Sequence, residues 1–251
     1  MNHLVILPCH SVWLGGDSKG QSRDEWILAP FQIEGNDHLC FIEHITASIE
    51  LLQRDPGALL VISGGQTKTE TPLTESESYA TLAQNLFDGS DSSVFSRVVT
   101  EKYARDSMEN VIFSICRFYE EYHKYPEKVT VVGFEFKRNR FVNHHFAALL
   151  WPLEHVEYVG NCPDPREYND EERAAYFDDL DACEYKFAVQ CFAKDWFGAT
   201  GSLLKKKETR NPHGQRHTYS ASNARLGAFF RAVDEQGANE EIQESLQGVW
   251  N

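Results

Sequence analysis

A Ser-Gly-Gly sequence follows one of the apolar runs and forms a candidate anion site. Ser63, Gly64 and Gly65 come directly after the run Leu59–Ile62, and Gln66 follows them. Two glycines let the backbone turn sharply and bring its N–H groups close to an anion such as phosphate. The same residues would also suit a plain tight turn, so both interpretations stay open.

A helix start carries the first candidate carboxylate. Thr74 as N-cap and Glu77 three residues later form a capping-box pattern, which gives Glu77 a sufficient structural explanation. Glu75 at the first helical position favours the helix dipole only modestly. It also lies where a ligand would bind if the preceding run is a strand. We therefore expect a functional role for Glu75 and a structural one for Glu77.

A second helix start has the same arrangement. Asp106 suits an N-cap and Glu109 its partner at the third helical position. Capping leaves Asn110 unexplained, together with Glu101 just upstream. Carboxylates and an amide this close in sequence could hold a hard divalent cation. Capping and metal binding therefore both remain possible here.

Basic residues stand at two further positions. Lys137, Arg138 and Arg140 follow the run Val129–Val132, and in an acidic protein such a cluster needs a local reason. Arginine offers a planar fork for phosphate and lysine a point charge. The second basic segment, Lys205–Arg216, contains Arg210 and is either a phosphate contact or a solvated loop.

His10 follows the first apolar run, Leu4–Leu7, and is a candidate polar ligand. Its neighbour Cys9 invites a nucleophile–base interpretation. Adjacent strand residues point to opposite faces, however, so Cys9 and His10 cannot form a dyad within a strand. A cysteine hydrolase is therefore not expected.

The elements that must position these residues alternate along the chain. Short runs rich in Val, Ile and Leu indicate strands buried on both faces, and helical stripes lie between them. Such alternation predicts an α/β fold with a doubly wound, mostly parallel sheet, helices on both faces in a Rossmann-like three-layer arrangement, and ligands beyond the carboxyl ends of the strands. The expected strands are Leu4–Leu7, Leu59–Ile62 and Val129–Val132, with Val98–Val99 and Val156–Val159 weaker, and the expected helices are His38–Arg54, Ser107–His123 and Asn139–Leu150.

We expect one domain over residues 1–251, with a core at about 4–160 and a C-terminal extension at about 161–251. The extension begins with an acidic stretch, Glu167–Glu184, that predicts a solvated helix, and it continues into the basic segment Lys205–Arg216. No internal repeat or clear linker divides the chain.

Composition excludes several classes of protein. The 251 residues carry 24 Lys+Arg against 38 Asp+Glu, a net charge of −14, which argues against nucleic acid as a partner. No stretch approaches the roughly 20 apolar residues of a membrane-spanning helix. The six cysteines are scattered without paired spacing, as is typical of reduced thiols in a cytosolic protein.

The motifs together resemble the domain of unknown function 218 family over about Leu4 to Pro152. The most specific match is E-x-x-x-x-D-S-x-E-N from Glu101 to Asn110, where Ala104, Asp106 and Ser107 replace the Ser, Asn and Thr of bacterial members. The family's histidine after the third strand is replaced here by Phe-Lys-Arg. The residues within these motifs resemble those of a fungal branch, the lipid-linked oligosaccharide pyrophosphatases. The matching segments are L-P-C-H-S-V-W-L-G-G, S-G-G-Q-T, A-R-D-S-M-E-N and G-F-E-F-K-R-N-R-F.

This resemblance implies a hydrolase that cleaves the diphosphate bond of polyprenyl (dolichyl) diphosphate-linked oligosaccharide to phosphorylated oligosaccharide and polyprenyl phosphate. Together with the carboxylates, aromatic residues and scattered cysteines of the sequence, it leads us to expect a divalent metal ion (Mn²⁺ or Mg²⁺), a peripheral membrane contact and a cytoplasmic location, at the cytosolic face of the endoplasmic reticulum. The residues that suit this chemistry are Glu75, Asp106 and Glu109 for catalysis; His10, Ser63, Gly64, Gly65, Gln66, Ser107, Asn110, Lys137, Arg138 and Arg210 for phosphate binding; and Glu75, Glu101 and Glu109 for the metal.

Two other functions remain open at this point. One is a soluble hydrolase of sugar nucleotides or other small diphosphates. The other is a non-catalytic module that binds a nucleotide or S-adenosylmethionine, although no G-x-G-x-x-G follows any of the expected strands.

Overall fold

A computed structural model describes residues 1–89 and 91–250. Five parallel strands form one sheet in the order β3-β2-β1-β4-β5. The strands are β1 (His3–Pro8), β2 (Ala58–Ser63), β3 (Val98–Glu101), β4 (Lys128–Phe134) and β5 (Val156–Asn161). All five expected strands are therefore present, including the two weaker ones.

Helices connect the strands and then continue through the C-terminal third. The α-helices are α1 (Pro30–Glu34), α2 (Asp37–Arg54), α3 (Glu75–Leu86), α4 (Ser92–Phe95), α5 (Ser107–Tyr122), α6 (Asp170–Glu184), α7 (Gln190–Phe192), α8 (Gly201–Thr209), α9 (Tyr219–Ser222), α10 (Gly227–Asp234) and α11 (Asn239–Glu244). Short 3₁₀ turns lie at Arg23–Glu25, Glu135–Lys137, Leu153–His155 and Ala224–Leu226, and π-helical segments at Arg140–Phe146 and Tyr185–Val189.

The central strand shows why helices cover both faces of the sheet. Leu4 and Ile6 pack with α5 and the C-terminal helices, whereas Val5 and Leu7 pack with α2 and α3. Successive side chains of a strand point to opposite faces, and all four are fully buried. The predicted three-layer α/β architecture is confirmed.

The C-terminal segment packs into the core of the sheet. Its apolar side chains join the buried cluster that contains α5 and the strand residues Leu4 and Ile6. They include Phe197, Leu203, Phe229 and Ile242. By contrast, α6 has no buried residue, in agreement with its acidic sequence. Asn169 caps α6, where its side chain accepts hydrogen bonds from two backbone amides.

The segment after β4 differs in detail from the expected helix Asn139–Leu150. Its first part, Arg140–Phe146, is a π-helix, and the chain leaves the helical region at Leu150, which has a φ of +55°. Wider π turns are frequent at functional sites because they reorient side chains locally.

Strand order and direction define the place where a ligand would bind. The chain runs outward from β1 to β2 and β3, then crosses to β4 and β5 on the other side. In such sheets the crevice at the reversal point, beyond the carboxyl ends of the strands, is the usual ligand site. Here it lies between the ends of β1 and β4.

Candidate functional site

A cavity of about 1020 Å³ lies at this reversal point. Its floor contains residues that follow strands, and its far wall is formed by α6, α8 and the second π-helical segment of the C-terminal third. The side chains on its wall that can bind or react include His10, Asp37, Lys68, Glu75, Arg105, Asp106, Ser107, Asn110, Lys137, Arg140, Glu184, Lys206 and Arg210, together with the acids Glu34, Glu172 and Asp179.

His10 and Lys137 meet across the reversal point. The Nζ atom of Lys137 lies 3.5 Å from Nδ1 of His10 and 4.8 Å from the ring centre of Phe134. Burial lowers the pKa of Lys137 to about 7, with a further contribution from the charge of Arg140. Burial and the nearby Lys137 also hold the pKa of His10 well below its ordinary value. His10 is therefore a neutral polar group at pH 7.

Arg140 enters the cavity from the π-helical segment. It is 9% exposed, and its Nε atom lies 3.2 Å from Oε1 of Glu184 on α6. Arg140 thus joins the end of β4 to the opposite wall. The sequence singled out the basic cluster after β4, but the phosphate ligands predicted from it were Lys137 and Arg138.

Arg138 lies outside the cavity, which corrects that expectation. Its guanidinium forms hydrogen bonds of 2.6 and 2.8 Å with the carboxylate of Glu135 and lies 5.0 Å from the ring centre of Tyr158. The tight turn after β4 directs Lys137 inward and Arg138 outward. The cavity therefore has Arg140 where Arg138 was expected.

The basic face of the opposite wall comes from α8. Leu203, Lys206 and Arg210 line the cavity, and their spacing puts them on one side of the helix. Nη1 of Arg210 donates to the backbone oxygen of Arg105 over 3.0 Å. Burial lowers the pKa of Lys206, and the charge of Arg210 adds to the shift. The Lys205–Arg216 segment therefore contributes two cations to the cavity.

Glu75 is the buried carboxylate on the floor of the cavity. It begins α3, is 8% exposed and accepts a hydrogen bond from Thr67 Oγ1 through Oε1. Burial raises the pKa of Glu75, while the Thr67 hydrogen bond and the charge of Arg210 oppose the shift. The neighbouring Glu77 faces away and forms a 2.6 Å ion pair with Lys102.

Thr74 caps α3 as expected, because its hydroxyl accepts from the amide of Glu77 over 2.9 Å. The capping box is incomplete, since the Glu77 carboxylate accepts from the Thr74 hydroxyl and not from its backbone amide. Glu77 therefore has the structural role that was predicted, but its carboxylate bonds to the Thr74 hydroxyl and to Lys102 instead of completing the capping box.

Asp106 and Glu109 lie at the start of α5, but only Asp106 lines the cavity. Asp106 caps the helix by accepting from the amide of Glu109 over 2.8 Å. The Glu109 carboxylate turns away and accepts from the backbone amide and the guanidinium of Arg105. Lys207 lies 3.5 Å from Asp106 Oδ2 and 3.4 Å from Glu109 Oε1. Burial would raise the pKa of Glu109, but Lys207 and Arg105 outweigh it and lower that pKa.

Glu101 and Ser63 form a buried network behind the cavity wall with Asn110, which also lines the cavity. Ser63 donates to Glu101 Oε2 over 2.8 Å, and the amide of Asn110 donates to the backbone and hydroxyl oxygens of Ser63. Tyr219 and two backbone amides also donate to Glu101. Burial raises the pKa of Glu101 to about 7 against these bonds. The network ties β2, β3 and α5 together.

The Ser-Gly-Gly turn packs tightly and does not offer its amides to the cavity. The amide of Gly64 donates to the backbone oxygen of Glu101 and that of Gly65 to Ala104. A Cβ atom at Gly64 would lie 2.8 Å from the Cβ atoms of Cys9 and Glu75. The expected anion contact through these amides is therefore wrong, and the glycines serve close packing. The Gln66 side chain likewise donates to the backbone oxygen of Pro72, and Gln66 does not line the cavity.

The predicted metal trio of Glu75, Glu101 and Glu109 is not brought together. Over residues 1–89 and 91–250, no three His, Cys, Asp or Glu side chains are grouped as a metal site. Glu101 and Glu109 face protein donors, as described above. The cavity does contain a different pair, Glu75 and Asp106. Among the described residues Asp106 Oδ2 accepts no hydrogen bond, and it lies 3.5 Å from the ammonium of Lys207.

Several functional candidates were missed at the level of the sequence. Asp37 begins α2 at the same sheet edge, and burial raises its pKa to about 7 against the charge of Lys137. Asp37 could have been found from the sequence, because it stands at the start of the long helix that follows β1, where a ligand would bind. His145 contacts Ser107 over 2.8 Å, and nothing in the local sequence distinguished it from its neighbour His144.

The fold and this cavity define an α/β protein with a crevice, lined by both cations and carboxylates, at the reversal point of a parallel sheet. The chain is 35% identical over 260 residues to the uncharacterized protein YOR238W of Saccharomyces cerevisiae, and the match covers 86% of each chain. The chain therefore belongs to the same family as this yeast protein. No family model matches the chain, and no solved structure matches it.

Proposed function

We propose that the protein hydrolyses the diphosphate bond of a polyprenyl (dolichyl) diphosphate-linked oligosaccharide, giving phosphorylated oligosaccharide and polyprenyl phosphate. The observation that carries this proposal is that cations from two sides and one buried carboxylate line the same cavity. Lys137 and Arg140 come from the segment after β4, Lys206 and Arg210 come from α8 and its C-cap, and Glu75 lies on the floor of the same cavity. The motif resemblance to the domain of unknown function 218 family supports the same activity.

The cations suit the charge of a diphosphate. Breaking a P–O–P bond builds negative charge on the leaving phosphate, and fixed positive groups in a partly enclosed site stabilise it. Arg140 and Arg210 offer planar forks to phosphate oxygens, whereas Lys137 and Lys206 supply point charges. These four residues bind both phosphates and orient the bond that breaks.

Glu75 is the residue that orients and deprotonates the attacking water. Its raised pKa keeps it a useful proton acceptor, and its Oε1 atom is fixed by Thr67. Asp106 on the start of α5 is the second carboxylate of the cavity. Glu109 supports Asp106 through their shared ion pairs with Lys207 and does not contact substrate.

A divalent cation, Mn²⁺ or Mg²⁺, fits the cavity with a smaller set of protein ligands than the sequence implied. Mg²⁺ is commonly bound through one or two carboxylates plus substrate phosphates and water. Glu75 and Asp106 would hold it, with Asp106 Oδ2, which accepts no hydrogen bond within the described part of the chain, shared between the ion and the Lys207 ammonium 3.5 Å away. When bound, the ion would neutralise charge on the diphosphate.

The outer part of the cavity suits the remainder of a large amphiphilic substrate. Leu180 and Tyr176 of α6 line it, and Phe31 and Phe187 at its wall are 73% and 59% exposed. Exposed aromatic side chains favour contact with the membrane interface. In the described part of the chain no helix is long and apolar enough to cross a membrane. We therefore propose peripheral contact, at the cytosolic face of the endoplasmic reticulum.

Incubation of the purified chain with dolichyl-diphosphate oligosaccharide tests the proposal. We expect released glycans with a terminal phosphate, detected by mass, and a loss of release with EDTA that added Mn²⁺ restores. The Glu75→Gln variant serves as the control for contaminating activity. Cleavage of sugar nucleotides in preference to the lipid-linked substrate would point to the small-diphosphate hydrolase, and no release under any condition would refute hydrolysis.

A further inference from the structure

The contact between Ser107 and His145 has no role in the chemistry proposed above. Ser107 is the first residue of α5 and lines the cavity. Its Oγ atom lies 2.8 Å from Nε2 of His145, which is fully buried on the π-helical segment after β4. A hydrogen bond of this length requires that one of the two atoms carries the shared proton.

The other side of the His145 ring is apolar. Its ring centre lies 4.5 Å from that of Phe192 and 5.4 Å from that of Phe141. Its Nδ1 atom is buried and has no hydrogen-bond partner among the described residues. Only Nε2 therefore has a polar neighbour.

Burial keeps this imidazole neutral. Desolvation holds the pKa of His145 well below its ordinary value, and the positive charges of Arg140 and Lys207 act in the same direction. A neutral ring carries one proton, on either Nδ1 or Nε2. A proton on Nδ1 would leave a buried N–H donor without an acceptor, which is rarer and more costly than an unpaired acceptor. The proton therefore belongs on Nε2.

This tautomer determines the direction of the hydrogen bond. Nε2–H of His145 donates to Oγ of Ser107, so the hydroxyl proton of Ser107 must point elsewhere. Ser107 lines the cavity, so its hydroxyl proton is free to face the space where Lys137 and Arg140 would hold a phosphate. A hydroxyl whose oxygen already accepts a bond is a ready donor to an anion.

We propose that His145 is a positioning residue that donates to Ser107 and so commits the Ser107 hydroxyl to donate to a phosphate oxygen of the substrate. The phosphate contact in this inference rests on the proposed diphosphate hydrolysis, whereas the hydrogen bond between Ser107 and His145 does not depend on that function. It also argues against Ser107 as a nucleophile. A serine activated by His145 would need Nε2 as the proton acceptor, and the resulting imidazolium would lie beside Arg140 without a carboxylate partner.

The π-helix explains how one short segment supplies both groups. In an α-helix, residues five positions apart differ by about 140° around the axis. The i→i+5 bonding of a π-helix brings Arg140 and His145 closer to one face. Arg140 then reaches the cavity directly, and His145 reaches it through Ser107.

The first test is the tautomer of His145 in the unmodified protein. A long-range ¹H–¹⁵N spectrum with labelled histidine separates the neutral Nε2–H form, the neutral Nδ1–H form and the imidazolium. The chain has ten histidines, and loss of one signal set in His145→Gln assigns the residue. We expect the neutral Nε2–H form at pH 7. An Nδ1–H form or an imidazolium would overturn the proposal.

The second test measures binding of inorganic pyrophosphate by calorimetry. Gln retains a donor near the position of Nε2, so His145→Gln should bind pyrophosphate within about threefold of wild type. His145→Leu and Ser107→Ala should each weaken binding by about 10-fold. The double variant should bind no more weakly than Ser107→Ala alone, because both changes remove the same bond. His144→Gln is the matched control and should bind like wild type.

Independent losses that multiply in the double variant would contradict the role of His145. A phosphorylated Ser107, found in a separate experiment on quenched turnover samples, would contradict it as well. Failure of the chain to hydrolyse any diphosphate would refute the proposed function. The tautomer of His145 and the pyrophosphate affinities would still test the Ser107–His145 pair, because neither measurement depends on turnover.

Discussion

The ammonium of Lys207 lies 3.4 Å from Oε1 of Glu109 in the interior of the protein. Lys207 is 2% exposed and also donates to the backbone oxygen of Phe197 over 2.9 Å. The pair joins α8 to the start of α5, so the C-terminal segment and the strand-helix core share one buried charge cluster. The outward neighbour on the same helix, Lys206, lines the cavity.

Replacement of Lys207 by methionine should destabilise the fold. The variant Lys207→Met removes the ion-pair partner of Asp106 and leaves Glu109 with Arg105, and breaking a buried ion pair on one side typically costs about 3–5 kcal/mol. The free energy of unfolding in urea measures the loss. Lys205→Met, an exposed change on the same helix, should alter it by less than about 0.5 kcal/mol. Equal stabilities of the two variants would mean that the cluster contributes nothing.

Glu75→Gln should abolish turnover with the fold intact. Gln has the same shape but accepts no proton, so we expect a loss of about 100-fold or more in kcat. Glu77→Gln is the matched control, because Glu77 lies on the same helix and pairs with Lys102 outside the cavity. Circular dichroism and unfolding temperature should match in both variants. Wild-type turnover by folded Glu75→Gln would remove Glu75 from the mechanism.

The fold was predictable because its signals are local. Continuous apolar runs such as Leu59–Ile62 occur where a strand is buried on both faces, and turn residues follow them. Parallel pairing then brings the carboxyl ends of the strands to one edge. This is why the sequence also indicated the region of His10, Glu75 and Lys137.

The side-chain directions at that edge were not predictable, because they depend on tertiary contacts. The turn and the π-helix after β4 determine whether Arg138 or Arg140 faces inward. The sequence of this segment indicated an ordinary helix and did not indicate the π-helix. Glu109 was expected at the site together with Asp106, yet its carboxylate bonds to Arg105 and pairs with Lys207, which is distant in sequence. The amides of Gly64 and Gly65 bond to the loop after β3, a pairing that spacing does not reveal.

Affinity for pyrophosphate should depend on pH through Lys137. Its pKa of about 7 means that the side chain is charged below pH 7 and neutral above it, so binding of an anion weakens as the pH rises through 7. Arg140, Glu184, Asp37 and Arg210 are the charged groups that act on it. Calorimetry from pH 6 to 8.5 on wild type and Lys137→Arg isolates this effect, because the titration of pyrophosphate itself is common to both.

In that comparison, the ratio of the two affinities should increase with pH in favour of Lys137→Arg, since arginine stays charged throughout the range. We expect the ratio to change by about 10-fold between pH 6 and 8.5, which corresponds roughly to the binding free energy of one charged hydrogen bond. A constant ratio would show that the charge of Lys137 does not titrate near pH 7 or does not reach the anion.

Arg138 and Arg210 allow the arrangement of the cavity to be tested with two exposed side chains. Both were predicted to bind phosphate, but only Arg210 lines the cavity, while Arg138 pairs with Glu135. Arg210→Gln should weaken pyrophosphate binding by about 5- to 30-fold, whereas Arg138→Gln should change it by less than twofold. Neither change should lower the unfolding temperature by much, because surface ion pairs contribute little to stability. If Arg138→Gln loses affinity and Arg210→Gln does not, the phosphate site lies on the outer side of the turn after β4, and the wall formed by α8 has no part in it.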